Sequence, residues 1–286
     1  MKIKCGEKVF NIDYNESWEV PTNSKKFIEN KKESELNYKI EFVDEIQFNN
    51  EQIIHNREDI IVTKNNKNLE SRYLNIKGFP YPYAFYKEID EKNRVVQVLN
   101  YFKNEFTIDT LFWSLFALEK HMIEKDSLIL HCNYMVHNNH GILFSGPSGI
   151  GKSTQGNLWE EYRNASIKNG DKGLLLKDDD KWHVDGWPVC GSSEICENER
   201  HKIGAIVFLN QGKENIVTLL DKKSAIKKMI SQITINYWNQ DFVNKAFTLI
   251  EEICDNVNIY ELTCTPDERA VEVLEKALKE NEIWMD

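Results

Sequence analysis

Short runs of alternating apolar and polar residues characterise the first third of the chain. Residues 38–43, 60–63 and 95–98 alternate in this way. A period of two is typical of strands with one buried and one solvated face, as in antiparallel sheets. Polar stretches at 64–68 and 91–93 predict the turns between them. We therefore expect a β-rich N-terminal region over residues 1–108, made of antiparallel strands.

The pattern changes after residue 108. Apolar side chains cover most of the circumference of a predicted helix over 109–123, which favours a buried helix, with Thr107 or Asp109 as a candidate N-cap. Strand candidates then interleave with helix candidates, at 128–132, 141–145, 174–176, 205–209 and 257–262 for strands and 152–162, 223–233 and 240–254 for helices. A capping box, Thr265-Pro266-Asp267-Glu268, predicts the start of a last helix. This order indicates an α/β domain over residues 109–286.

One segment carries a recognisable chemistry. Residues 146–153, Gly-Pro-Ser-Gly-Ile-Gly-Lys-Ser, match the pattern G-x-x-x-x-G-K-[ST] between a predicted strand and a predicted helix. Glycines permit positive φ, so successive backbone N–H groups and the helix N-terminus can surround phosphate oxygens. We predict that a nucleoside triphosphate binds with Mg²⁺ to Gly146, Pro147, Ser148, Gly149, Ile150, Gly151, Lys152, Ser153 and Thr154. Lys152 would reach the β- and γ-phosphates, and Ser153 would ligate Mg²⁺.

The surroundings of this motif resemble the HPr kinase/phosphorylase-like family, which shares its nucleotide site with ATP-dependent phosphoenolpyruvate carboxykinase. The resemblance rests on Leu130-His131 at a strand, a second strand, the glycine motif, Asn169-Gly170-Asp171 and the Gly-Trp-Pro-Val-Cys-Gly segment at 186–191. It covers roughly residues 125–280. It implies a P-loop-containing mixed sheet with flanking helices, which the β-rich region precedes. Gly170 departs from the family pattern, which has an acidic pair where this chain retains only Asp171.

The resemblance also implies a function. It indicates an ATP- and Mg²⁺-dependent kinase that transfers the γ-phosphate to a hydroxyl, on a serine of a protein or peptide or on a small molecule. His131, Lys152 and Asp171 would be catalytic, and Ser153 and Asp171 would hold Mg²⁺. If the missing first acid is the usual base, then His131 or Asp171 must serve as the base here, or turnover is slow. The alternative is a nucleotide-gated binding module with little or no phosphotransfer.

Each candidate also has a structural interpretation. Asp171 could belong to a turn, and His131 could be a core residue bonded to the backbone. For the acidic run from Asp178 to Asp180, a hairpin turn is favoured over a metal site. The spacing of His131, His137 and His140 does not fit zinc, and solvated histidines are favoured for His137 and His140. A structural role is favoured for Cys190, Cys196 and His201. Core packing competes with an acceptor-pocket role for Trp182, His183, Trp187, Ser192 and Ser193.

The composition of the chain limits the classes of partner that we expect it to bind. The 286-residue chain has a net charge of −10, which argues against a nucleic-acid binder. It contains no apolar run of about 20 residues and no N-terminal signal pattern, so we expect a cytoplasmic protein with no membrane partner and six reduced cysteines. The chain is shorter than the carboxykinases, and it lacks the N-K-x-D guanine motif. Homo-oligomerisation is compatible with the resemblance, although no interface pattern is visible.

Overall fold

The computed structural model describes residues 1–14 and 18–281. The chain divides into two compact units, Met1–His121 and Met122–Asp286. The division falls beyond residue 108, where the sequence predicts the domain boundary, so most of the predicted 109–123 helix belongs to the first unit. Each unit contains its own β-sheet.

The first unit is β-rich, as the sequence predicts. Its described residues form one sheet of eight strands in the order β1-β2-β3-β8-β7-β6-β5-β4. The strands are β1 (Lys2–Cys5), β2 (Lys8–Asp13), β3 (Leu36–Val43), β4 (Gln52–Asn56), β5 (Ile60–Lys64), β6 (Glu70–Leu74), β7 (Ala84–Glu88) and β8 (Asn93–Leu99). Alternation is confirmed in β3, where Leu36, Tyr38 and Ile40 are buried between more exposed neighbours.

The prediction of a purely antiparallel sheet is wrong for part of this unit. Each successive pair of strands from β4 to β8 is antiparallel. By contrast, β3 pairs in parallel with both of its neighbours, β2 and β8. Alternation along one strand predicts which of its side chains face the core, but it does not predict the direction of the neighbouring strands. That direction depends on how distant segments of the chain connect.

The predicted helix over 109–123 is broken in two. After a 3-10 segment, Asn100–Thr107, the chain forms α1 (Asp109–Ser114) and α2 (Leu118–Ile123). Ala117 lies between them with a left-handed φ of 51°. Since the run is apolar almost throughout, a continuous helix would expose part of it, whereas the break leaves Phe112, Trp113, Leu115 and Phe116 buried. The N-cap is Ile108, so Thr107 and Asp109 are not caps.

The second unit is a mixed α/β domain with flanking helices. Its strands follow the order β10-β9-β12-β13-β14-β16-β15, with β11 paired to β9. The strands are β9 (Leu128–His137), β10 (His140–Ser145), β11 (Ser166–Asn169), β12 (Lys172–Asp178), β13 (Lys181–Asp185), β14 (Arg200–Gln211), β15 (Ile216–Leu219) and β16 (Asn258–Cys264). The helices are α3 (Lys152–Arg163), α4 (Lys222–Ile230), α5 (Gln240–Asn256) and α6 (Glu268–Glu280). A parallel pairing of β10 with β14 closes five of the strands into a ring.

Two apolar clusters hold the helices against this sheet. One joins α4 and α5 to the sheet through residues that include Met229, Ile250 and Ile253. The other joins α3 and α6 through residues that include Trp159, Val271 and Leu274. The last helix, α6, therefore packs one apolar face against the sheet.

The start of α6 differs from the predicted capping box. The N-cap is Asp267, whose side chain accepts a hydrogen bond from the N–H of Arg269, and the helix begins at Glu268. The hydroxyl of Thr265 instead donates to the Asp267 carboxylate. A carboxylate at the N-cap satisfies a free helix N–H as well as a threonine would. Within residues 1–14 and 18–281, no helix is long and apolar enough to cross a membrane.

Candidate functional site

A short loop connects β10 to α3 and forms the base of the candidate site. We call Gly146 to Gly151 the glycine loop. Gly146, Gly149 and Gly151 have φ of 142°, 77° and 115°, as the sequence predicts for glycines at these positions. A Cβ at Gly149 or Gly151 would meet no atom within 4 Å, so positive φ rather than crowding requires glycine there, and the backbone faces open space.

The N-terminus of α3 carries no side-chain cap. Gly151 occupies the N-cap position without a capping hydrogen bond, whereas α4, α5 and α6 are capped by Asp221, Asn239 and Asp267. The first N–H groups of a helix have no intrahelical partner, and the helix dipole makes this end partly positive. The glycine loop and α3 thus present donors that suit an anion.

Lys152, the first residue of α3, folds back over the glycine loop. Its Nζ donates to the carbonyl oxygens of Gly146, at 2.9 Å, and Pro147, at 3.2 Å, and the residue is 8% exposed. Desolvation lowers the pKa of Lys152, while the negative charge of Asp171 acts in the opposite direction. A buried ammonium group that has only carbonyl partners is poised for a stronger, anionic one.

Adjacent strands bring Asp171 and His131 together. His131 on β9 pairs in register with Lys172 on β12, and Asp171 lies one residue before that strand. The Nε2 of His131 is 3.5 Å from Oδ1 of Asp171, and Nζ of Lys172 is 3.2 Å from Oδ2. The Nδ1 of His131 is 3.3 Å from Oε1 of Gln232. Gln232 was not predicted from the sequence, because it lies 101 residues from His131.

The carboxyl group of Asp171 is strongly acidic. Desolvation by itself would raise its pKa, but the hydrogen bond from His131 and the charge of Lys172 outweigh that effect and lower the pKa to about 2. Asp171 is therefore an anion at neutral pH. It suits a cation, and it is a poor proton acceptor.

The turn before Asp171 is built by Asn169. Its buried side chain accepts hydrogen bonds from the N–H groups of Asp171 and Lys172, both at 2.9 Å, and donates to the carbonyls of Trp187 and Val189. Asn169 therefore fixes the backbone from which the Asp171 carboxylate projects.

Gly170 has no room for a side chain. A Cβ there would lie 2.1 Å from Oγ of Ser193. The missing first acid of the expected pair is thus a steric feature of this site, because Ser193 fills the space that it would need.

A cavity of about 310 Å³ joins these groups. Its lining includes the predicted residues His131, Ser148, Gly149, Gly151, Lys152, Ser153, Thr154 and Asp171, together with Gly170, Cys190, Ser192 and Ser193. We call it the acidic-side cavity, after Asp171. Of the other predicted loop residues, Gly146 and Pro147 supply the carbonyls that hold Lys152.

A second cavity, of about 450 Å³, adjoins the glycine loop on another side. Ile150, Leu209, Cys264 and Pro266 supply apolar surface, and Gln211 and Thr265 are among its polar residues. The two cavities share Gly149, Gly151 and Thr154. We call it the apolar-side cavity.

Several predicted residues lie elsewhere. Trp182 is part of the apolar core, and the carbonyl of buried Trp187 accepts from Asn169. His183 lines a different cavity with His201. Of the residues predicted for an acceptor pocket, only Ser192 and Ser193 therefore line the acidic-side cavity.

The remaining candidates have structural positions. Asp179 and Asp180 form a left-handed hairpin turn between β12 and β13, which confirms that prediction. The prediction of solvated histidines is wrong for His140, which is 6% exposed and bonds through Nδ1 to the carbonyl of Asn138. Cys196 is buried, and its Sγ donates to the carbonyl of Trp187.

The donor set fits Mg²⁺ only in the company of phosphate oxygens. In the described part of the chain, no group of three or more His, Cys, Asp or Glu residues could hold a metal ion. Ser153 and Asp171 line the same cavity and offer one hydroxyl and one carboxylate. Mg²⁺ typically takes one or two protein ligands, substrate phosphates and water, so these two residues suit a metal delivered with a nucleotide.

Among solved structures, the Hpr(Ser) kinase/phosphatase from Coxiella burnetii is similar with 12% sequence identity and a TM-score of 0.31, over 54% of this chain and 89% of that chain. No curated protein matches significantly. The family model described as "SynChlorMet cassette protein ScmC" matches residues 95–279, well over half of the chain. The chain therefore belongs to the ScmC family of SynChlorMet cassette proteins.

Proposed function

We propose that this chain is a Mg²⁺-dependent kinase that binds ATP at residues 146–154 and transfers the γ-phosphoryl group to a hydroxyl, on a serine of a protein or peptide. One observation carries the proposal. The positive-φ glycines, the uncapped α3 and the buried Lys152 converge on a cavity that also contains Asp171. Phosphoryl transfer depends mainly on positioning and charge neutralisation, and this set of groups supplies both.

The polyphosphate would lie along the glycine loop. The backbone N–H groups and the end of α3 would donate to its oxygens. Lys152 would exchange the carbonyls of Gly146 and Pro147 for the β- and γ-phosphates, because charge-assisted hydrogen bonds are about twice as strong as neutral ones. Positive φ at Gly149 and Gly151 supports this role, since it turns the loop's backbone toward the ligand.

The nucleoside would occupy the apolar-side cavity. Its volume of about 450 Å³ is within the usual range for small-molecule sites. Ile150, Leu209 and Pro266 would pack against the flat base, and Gln211 would offer an amide to its edge. The triphosphate would then pass over Gly149 and Gly151, which line both cavities, with the γ-phosphate in the acidic-side cavity.

The metal would be held by Ser153 and Asp171. A pKa of about 2 keeps the Asp171 carboxylate charged at any physiological pH, which suits a ligand of Mg²⁺, held directly or through water. The same low pKa argues against Asp171 as the general base, since an effective base has a pKa near the working pH.

His131 would then handle the proton. In the transfer step, the acceptor oxygen forms a bond to the γ-phosphorus, the bond to the β–γ bridging oxygen breaks, and ADP leaves. The hydroxyl proton would pass to Nε2 of His131, which the Asp171 carboxylate would leave free on turning to Mg²⁺, while Nδ1 would keep its proton toward Oε1 of Gln232. Ser192 and Ser193 lie across this cavity and would contact the acceptor.

One observation favours a second candidate, a nucleotide-gated binding module. Asp171 is the one carboxylate among the residues that line the acidic-side cavity, and the space beside Gly170 leaves no room for another. A site with a single acid would bind nucleotide through the same glycine loop with little or no transfer. Binding and transfer must therefore be measured separately.

The decisive experiment is calorimetric titration with Mg²⁺·ATP. Removing the Lys152 ammonium in Lys152→Met should weaken binding about tenfold to a hundredfold, as expected for one or two hydrogen bonds to charged groups. Lys276→Met, at an exposed position on α6, is the matched control and should bind as the wild type does. Absence of binding to the wild type, or full affinity in Lys152→Met, would refute the nucleotide site itself.

Transfer is tested with γ-labelled ATP and pools of serine-containing peptides, with mass detection of phosphate adducts. The kinase proposal expects adducts and acceptor-dependent ADP. His131→Ala should reduce kcat much more than it raises the KM for ATP, because the proposed proton transfer occurs only in the reaction step. Tight binding with no adduct in any pool would leave the binding module as the better description.

A further inference from the structure

A short segment with two serines forms one wall of the acidic-side cavity. After β13 the chain makes a 3-10 turn at Gly191–Ser193, and Ser192 and Ser193 line the cavity together with Lys152 and Asp171. We propose that Ser192 is a modification site of this protein, whose hydroxyl receives the γ-phosphoryl group of ATP bound at the glycine loop of the same chain. The inference rests on the proposed function and gives the site a means of regulating itself.

Residues 187–197, which we call the serine segment, are held against the turn that precedes β12. The N–H of Gly170 donates a hydrogen bond to the carbonyl of Ile195, at 3.3 Å. Gly191, with a φ of 58°, lies so close to the same turn that a Cβ on it would be 3.4 Å from Cγ of Asp171. The residue that follows Gly191 is therefore presented beside the carboxylate that we propose for Mg²⁺.

The two serines of this segment differ in what their hydroxyls do. Oγ of Ser193 donates to the carbonyl of Cys190, at 2.7 Å, and accepts from the N–H of Ile195, at 3.3 Å. Ser192 is exposed, and its hydroxyl forms no hydrogen bond with any residue that the structure describes. Ser192 can therefore turn toward a phosphorus without losing a hydrogen bond, whereas Ser193 is committed to the fold of the segment.

The other hydroxyls of the cavity lie on the side that would hold the nucleotide. Ser148 belongs to the glycine loop, and Ser153 and Thr154 belong to the first turn of α3. In phosphoryl transfer the attacking and leaving oxygens lie roughly in line, on opposite sides of the phosphorus. An acceptor must therefore approach from the side away from the glycine loop. The serine segment supplies a hydroxyl that belongs to neither the loop nor α3.

The transfer step is the one proposed for an external acceptor. Oγ of Ser192 forms a bond to the γ-phosphorus, the bond from that phosphorus to the β–γ bridging oxygen breaks, and ADP leaves. The hydroxyl proton passes to Nε2 of His131, which lines the same cavity. The volume of about 310 Å³ is at the lower end of the range for small-molecule sites, which favours an acceptor that is already part of the wall.

Phosphorylation of Ser192 would close the site that produces it. A phosphoserine carries a charge of about −1.5 to −2 at neutral pH, and it repels a second anion. Its phosphate would lie in the cavity that the γ-phosphate of the next nucleotide must enter, where Asp171 is already negative. The ammonium of Lys152 would pair with the phosphoserine in place of the nucleotide. Self-phosphorylation therefore limits further turnover.

Mass spectrometry of the full-length protein, incubated with Mg²⁺·ATP and no added acceptor, tests the inference. One phosphoryl group should be added, fragmentation should place it on Ser192, and the rate per molecule should not depend on protein concentration. Ser192→Ala and Lys152→Met should each abolish the adduct. Ser166→Ala removes an exposed hydroxyl on β11, outside the cavity, and is the matched control that should form the adduct as the wild type does.

Calorimetry provides a second measurement that needs no turnover. Ser192→Glu places a negative charge where the phosphoserine would be, and Ser192→Gln places a neutral side chain of the same size there. We expect Ser192→Glu to bind Mg²⁺·ATP about tenfold more weakly than Ser192→Gln, because two negative charges then share one cavity. Thermal unfolding of both variants establishes that they are folded.

The outcomes separate this inference from the proposed function. Mg²⁺·ATP binding and phosphorylation of added peptides, with no phosphate on Ser192, would overturn the self-phosphorylation and leave the proposed kinase intact. A rate that rises with protein concentration would overturn transfer within one chain, and equal affinities of the Ser192→Glu and Ser192→Gln variants would overturn the self-limitation. Absence of Mg²⁺·ATP binding to the wild type would remove both the proposed function and this inference.

Discussion

Gly170 illustrates how one residue shapes the candidate site. A Cβ at this position would lie 2.1 Å from Oγ and 2.3 Å from Cβ of Ser193. Overpacking of this kind costs about 1–3 kcal/mol. We expect Gly170→Ala to lower the free energy of unfolding by about 2 kcal/mol, and Ser193→Gly in the same chain to recover most of the loss. Chemical denaturation of both single variants and the double variant measures the coupling, and additive losses would contradict the steric explanation.

Asp171 gives the site a specific pH dependence. Its folded pKa of about 2 lies below the ordinary value of 3.8, so its ionised form stabilises the fold above about pH 4 and this contribution is lost as the pH falls toward 2. A difference of nearly two pKa units corresponds to about 2 kcal/mol. We expect Asp171→Asn to lose roughly that amount at pH 7, with the gap to wild type shrinking below pH 4.

Denaturation curves between pH 7 and pH 3 test this prediction, with Asp180→Asn as the control. The side chain of Asp180 is 99% exposed in the hairpin turn, so its replacement should change stability little at any pH in this range. A gap between Asp171→Asn and the wild type that stays constant down to pH 3 would show that the carboxylate is not stabilised by His131 and Lys172.

The residues of the site were predictable to different extents. The glycine loop, Lys152 and Ser153 form a contiguous pattern, so the sequence displays them directly. Asp171 and His131 were found through a resemblance. Gln232 and the contact of Ser193 with Gly170 could not be found, because each brings together residues that are far apart in sequence and carry no shared motif.

At the scale of elements, the sequence pattern predicted the strands and helices whose formation depends on residues close together in the chain. Alternation predicted β3, β5 and β8, and helical periodicity predicted α3, α4, α5 and α6. The parallel pairing of β3 and the break at Ala117 depend on distant packing, which a local pattern does not contain. Helix ends fall between these cases, since several nearby side chains compete to be the cap.

The start of α6 allows a direct test of one such competition. Asp267 accepts the hydrogen bond from the N–H of Arg269, and Thr265 only supports Asp267. We expect Asp267→Ala to cost about 1 kcal/mol, as for loss of an N-cap, and Thr265→Ala to cost less than half as much. Thermal or chemical denaturation compares the stability that the two variants lose. A larger loss for Thr265→Ala would favour the capping box that the sequence predicts, with Thr265 as the N-cap.

At the scale of the whole molecule, the division into two units separates the competing functions. The glycine loop, Asp171 and both adjoining cavities lie in the second unit. A ligand that binds only the folded state stabilises it by about 2.7 kcal/mol at a hundred times its Kd. We therefore expect saturating Mg²⁺·ATP to slow the exchange of the most protected amides of residues 122–281 by about a hundredfold and to leave those of the first unit unchanged.

Hydrogen-exchange mass spectrometry makes this measurement segment by segment. Lys152→Met at the same nucleotide concentration is the control, because a tenfold to hundredfold weaker site should lose about half or more of the protection in the second unit. A self-contained kinase site needs no response from residues 1–14 and 18–121. Equal protection of those residues in the wild type would contradict this expectation and favour the nucleotide-gated module, since gating requires that the nucleotide change the unit that meets the partner.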